Sequence, residues 1–162
     1  MVLEPETRPP EASPAGRSIV VVSWASLFIL IAVAVPFAFG VDAFETPTAA
    51  VGLASFGGGI VVWIVAFFQA LARTANGSEI AVSNWVFLAG SAPTAVRRHL
   101  LGVALLTLFV TLATTAAGPF VWLANLLPLA MSALWGARHG TFPARTVSPR
   151  SARGASRGRP SK

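Results

Sequence analysis

Residues Leu100–Ala137 read LLGVALLTLFVTLATTAAGPFVWLANLLPLAMSALWGA, thirty-eight positions without one charged side chain. A bilayer core about 30 Å thick is crossed by about 20 apolar residues in a helix, so this block is too long for one crossing and suited to two. Gly118-Pro119 stands at its midpoint, where glycine accepts a positive φ and proline cannot continue helical hydrogen bonding. The block is therefore a helical hairpin. Ser18–Val41 and Thr46–Ala72 are two more long stretches that lack Lys, Arg and His, with Asp42 and Glu45 between them.

The basic residues frame these stretches. Arg8 and Arg17 precede the first. Arg73, Arg97 and Arg98 lie between the second and third. Arg138, Arg145, Arg150, Arg153, Arg157, Arg159 and Lys162 follow the last. All three groups fall on one side of a four-span topology, as the positive-inside rule requires. The expected fold is all-α: a helical integral membrane protein with spans near 18–40, 47–73, 93–117 and 119–137. Disordered cytoplasmic tails cover 1–17 and 138–162. A mean hydropathy of +0.69 and 11% charged residues exclude an ordinary soluble domain.

The net charge of +6 comes from loops and tail, so nucleic acid is not expected as a partner. With no cysteine, disulfides and thiolate metal sites are excluded. Arg outnumbers Lys eleven to one, a bias that fits a GC-rich bacterial genome. The expected location is the bacterial plasma membrane, multi-pass, with both termini cytoplasmic. Ala38-Phe39-Gly40 loosely fits a signal cleavage site, but the apolar run before it exceeds a signal h-region and is read as a retained anchor.

Local signals refine the spans. Trp24 suits the inner interface, and Trp122 and Trp135 mark the ends of span four as interface anchors. Pro36 bends the outer end of span one. Thr46-Pro47 reads as N-cap and first residue of span two, and Ser91-Ala92-Pro93 as the start of span three. Ile80–Ala89 is apolar but half a bilayer long, which fits a short interfacial helix near 79–90; an extended loop is the alternative. Asn76-Gly77-Ser78 matches a glycosylation sequon on the expected cytoplasmic side, where no sugar is added.

Span two is rich in small residues. Ala54 with Gly58, or Ser55 with Gly59, form pairs that admit close helix packing, within the bundle or against a second copy. The neutral polar residues at depth include Thr107, Thr111 and Thr114, which share one helical stripe, and Asn125. Thr111 and Asn125 are each seven residues from Gly118, hence at one level roughly 9 Å below the interface, where they suit a clamp across the hairpin.

Chemistry is harder to find. His99 and His139 lie beside arginines and offer no convergent ligand set, so no metal or other cofactor is expected. No ionisable residue lies within a span, which argues against proton- or ion-coupled transport and against catalysis at depth. No phosphate-loop, dinucleotide, metalloprotease or hydrolase motif is present. Arg138, Arg145, Arg150, Arg153, Arg157 and Arg159 suit contact with anionic lipid headgroups. The leading expectation is a non-enzymatic accessory or scaffold subunit packed against a larger membrane-protein partner. The alternative is a homo-oligomeric channel or transporter subunit with a neutral polar lining.

Overall fold

The computed structural model describes residues 16–115 and 118–144. These are helical apart from turns and one isolated antiparallel bridge between Ser78 and Ala144. The elements are α1 (Arg17–Ala38), a 3-10 turn (Asp42–Phe44), α2 (Glu45–Ala75), α3 (Val82–Trp85), α4 (Thr94–Ala113), α5 (Phe120–Leu123) and α6 (Leu126–His139). Four stretches are long and apolar enough to span a membrane: α1, α2 with its leading turn, α4, and α5–α6 taken together. The expected tails before residue 16 and beyond residue 144, with Arg145, Arg150, Arg153, Arg157 and Arg159, lie outside the described residues.

Helix ends follow local chemistry. Gly40 and Gly77 adopt φ of 84° and 87°, and at each the chain closes with paired backbone bonds. Gly40 N–H donates to Phe37 O and Val41 N–H to Pro36 O; Gly77 N–H donates to Thr74 O and Ser78 N–H to Arg73 O. This left-handed stop satisfies the last carbonyls of α1 and α2. Ala38-Phe39-Gly40 is thus a helix terminus. At its start α2 begins at Glu45, two residues before Pro47. Proline in a first turn removes only an N–H that has no helical partner, and Glu45 favours the positive end of the helix dipole. With 31 residues, α2 is about 46 Å long.

The fourth stretch is broken, not continuous. Ala124 and Asn125 form a turn between α5 and α6, with Ala124 N–H bonded to Val121 O and Asn125 N–H to Trp122 O. Pro128, third residue of α6, accounts for the break: it has no N–H for Ala124 O, and its ring crowds that carbonyl.

Helix α6 is the axis of the bundle. Pro128, Ala130 and every residue from Ser132 to Ala137 are buried. More than half of the α5–α6 stretch is buried, against about a quarter or less of the others, so α1, α2 and α4 wrap it. Its core positions are small, which brings neighbouring backbones close. Two apolar clusters fill the bundle. Ile19, Ala66, Ala70, Val86, Leu88, Leu100, Leu134 and Trp135 belong to one, at the end carrying Arg73 and Arg97. Leu30, Ala34, Val121 and Ala124 form the other, at the end of the Asp42–Glu45 loop. These are called the basic end and the opposite end below.

Candidate functional site

Near the opposite end, Asn125 joins two helices. Its Nδ2 donates to Thr111 Oγ1 at 3.0 Å and to its own Trp122 O at 3.1 Å. Thr111 is fully buried and passes its own proton to Leu108 O at 2.9 Å. The turn created by Pro128 is what frees Asn125 to reach across. Thr107 and Thr114, both buried, donate instead to carbonyls of their own helix, Val103 O at 2.8 Å and Val110 O at 2.7 Å. Ser23 and Ser132 do the same with Ile19 O and Leu129 O. These hydroxyls are consumed one turn back, so they present no donor to a passing solute. The threonine stripe is packed inside the bundle.

Helix α2 meets the fourth stretch through Gly52 and Gly59. A Cβ on Gly52 meets the Phe120 carbonyl, and one on Gly59 lies 2.9 Å from Leu126 Cγ and 3.0 Å from Leu127 N. Gly59 is one of the four small residues singled out in the sequence. Of the others, Ser55 is half-buried, Gly58 only touches Leu127, and Ala54 faces outward. The second contact glycine, Gly52, is seven residues before Gly59, a spacing the small-xxx-small pattern does not pick out. On its outward face α2 exposes Leu53, Phe56, Ile60, Ile64, Phe67 and Leu71, repeating at three and four residues.

The basic end is capped by the loop between α2 and α4. Its helical part, α3, has only four residues and is folded against the bundle. Trp85 stacks on Trp63, ring centroids 5.4 Å apart at 8°, and its Nε1 donates to Ala133 O at 2.8 Å. Leu88 is a non-glycine residue in the left-handed region, φ 55°, with no exposed surface. Its side chain packs beside Gly136, which is why that conformation is tolerated. Ser91 bonds Asn84 O through its hydroxyl, and its carbonyl accepts Thr141 N–H at 3.0 Å. Glu79 N–H donates to Pro143 O at 2.9 Å. The chain beyond α6 therefore lies along the loop instead of leaving the bundle directly.

Arg73 holds this junction. Its Nη1 donates to Ala137 O at 3.0 Å, and its guanidinium lies 5.0 Å from the centre of the Phe142 ring. A cation on a C-terminal carbonyl complements the α6 dipole. Arg138 is exposed and donates from Nε to Gln69 Oε1 at 3.3 Å. Trp135 is only 5% exposed, packed inward against Gly16, and its Nε1 has no partner among the described residues. It is a core residue and does not stand at the bundle surface as an interface anchor. The spacing arithmetic does not reveal these long-range contacts, although the abundance of Trp near helix ends flags them.

A cleft of about 200 Å³ opens between Phe67, Leu71 and Thr74 of α2 and Ile80 to Trp85 of the loop. It is mainly apolar, with no group suited to acid–base work. Among the described residues no three His, Asp or Glu side chains converge. What the arrangement does chemically is hold helices together and present apolar faces.

No protein-family model matches the chain, and no curated protein or solved structure shows significant similarity to it.

Proposed function

We propose that the chain is a non-enzymatic multi-pass protein of the bacterial plasma membrane, an accessory or scaffold subunit that packs against a larger membrane partner. Both termini are cytoplasmic in this reading, with the Asp42–Glu45 loop and Gly118-Pro119 turn outside. The observation that carries it is the contrast between α6 and α2. The bundle's polar groups are turned inward and closed on their own carbonyls, whereas α2 leaves a long apolar stripe uncovered from Leu53 to Leu71. Lipid covers such a stripe as well, but its three-and-four repeat, flanked by Ala54 and Gly57, is the geometry into which another helix packs. The arginines beyond α6 would add attraction to an anionic leaflet.

The channel reading needs a polar lining at an oligomer interface. The buried positions of Thr107, Thr111 and Thr114 weigh against it.

The native chain has no cysteine, so one introduced at Ile64 is the sole thiol. Cross-linking from it in native membranes, followed by mass spectrometry of the adduct, should give a heterologous membrane protein in defined stoichiometry. Adducts only to a second copy, together with ion flux in reconstituted vesicles, would replace this reading with the channel.

A further inference from the structure

Helices α1 and α4 run in the same direction: Ile19 and Leu100 share the cluster at the basic end, and Leu30 and Val110 pack in the opposite one. Between them the Trp24 and His99 rings meet edge to face, centroids 6.3 Å apart, which fixes the relative depth of the two helices. Arg98 and Arg97 are one and two residues before His99, hence level with Ser23 and Val22. They sit about 7 Å deeper than Arg17, the first residue of α1. At that level α1 still exposes Val21 and Val22, 56% and 46% accessible. Two exposed guanidinium groups therefore lie beside an apolar surface. Nothing on α4 offsets them, since its first turn has neither an acidic residue nor a side-chain cap.

A groove continues beneath this pair. Phe28 lies one turn below Trp24, rings 5.9 Å apart. Gly102 lies one turn below His99, and a Cβ there would meet nothing within 4 Å. The surface thus pairs two cations and an amphipathic indole at one level with an open apolar channel below. That order matches a phospholipid: phosphate, glycerol ester, acyl chain. Resting on the membrane-spanning reading above, we propose that Trp24, Phe28, Arg97, Arg98, His99 and Gly102 form a binding site for one anionic phospholipid of the surrounding leaflet. The two guanidiniums take the phosphate, bidentate geometry being their particular strength. Their stems lie along the bilayer surface, and the groove at Gly102 seats a chain.

The test uses the full-length protein in detergent, titrated with phosphatidylglycerol or phosphatidylcholine. Salt is kept at about 0.5 M, where screening within about 4 Å suppresses diffuse attraction by the tail. Lipid retention is read by native mass spectrometry and by the shift in thermal unfolding. The wild type should retain one phosphatidylglycerol in preference to phosphatidylcholine and unfold at higher temperature with it. R97Q/R98Q should weaken retention about tenfold, each basic residue contributing to attraction. G102L, which adds a strong helix former and no charge, should weaken it by filling the groove. Inorganic phosphate should not compete, because it lacks the chain. The proposal is overturned if the wild type shows no preference, if both variants retain lipid normally, or if free phosphate displaces it. It is equally overturned if replacing Arg145, Arg150, Arg153, Arg157 and Arg159 alone abolishes retention. Release of the protein from membranes by alkaline carbonate without detergent would instead remove the membrane reading on which the site rests.

Discussion

Asn125 and Thr111, fourteen residues apart in the chain, are joined by a 3.0 Å hydrogen bond across the hairpin centred on Gly118. An amide facing hydrocarbon without a partner is costly, so the bond both stabilises and orients the hairpin. Asn125→Leu should lower stability by about 0.6–2 kcal/mol. Thr111→Val should do little further harm in that background, because both changes remove one interaction. Fully additive shifts in a double-mutant unfolding cycle would show that the pair does not act as a unit.

The glycines of α2 are not equivalent. Gly59→Val should destabilise by about 1–3 kcal/mol, since its side chain is driven into Leu126 and the Leu127 backbone. Gly57→Ala, where a Cβ meets nothing, should be neutral or stabilising by less than about 1 kcal/mol. Thermal unfolding of the two variants decides. Equal losses would contradict the packing of α2 against α5–α6.

At the basic end, Arg73→Gln should free the segment after α6. It removes the bond to Ala137 O and the stacking on Phe142, together about 1–2 kcal/mol. The N–H groups of Glu79 and Thr141, bonded to Pro143 O and Ser91 O, should then exchange with solvent deuterium faster. Unchanged exchange at both sites would mean that Arg73 does not hold the junction.

Trp85→Phe separates stacking from hydrogen bonding. It keeps a ring on Trp63 but loses the donor to Ala133 O, and should cost about 0.5–1.5 kcal/mol. A loss as large as that of Trp85→Ala would assign the whole effect to the bond.

Charge and hydropathy make much of the fold legible, because a helix able to cross a bilayer must be long and uncharged. Gly118-Pro119 divides the last block for equally local reasons, and counting seven residues either side puts Thr111 and Asn125 level. Other features depend on contacts far apart in sequence. Pro128 marks a possible break, but the turn at Ala124–Asn125 emerges only once α5 packs against Gly52. Trp135 has the composition of an interface anchor, yet Gly16 and the small residues of α6 leave room for it inside. The loop after α2 has the apolar run of an interfacial helix. It is instead shaped by Trp85 reaching Ala133, Leu88 seating beside Gly136, and the pairing of Ser78 with Ala144. None of these partners is within forty residues of the other.

The account stands on four spans with the basic end inside, and substituted-cysteine labelling tests this most directly. Ala43 and Asn76 are both exposed, at opposite ends of α2, in a chain with no native thiol. A cysteine at Ala43 should react with an impermeant maleimide in intact cells, and one at Asn76 should react only after the membrane is opened. Labelling of Asn76→Cys but not Ala43→Cys in intact cells would invert the topology, and labelling of both from one side would contradict a membrane-spanning α2.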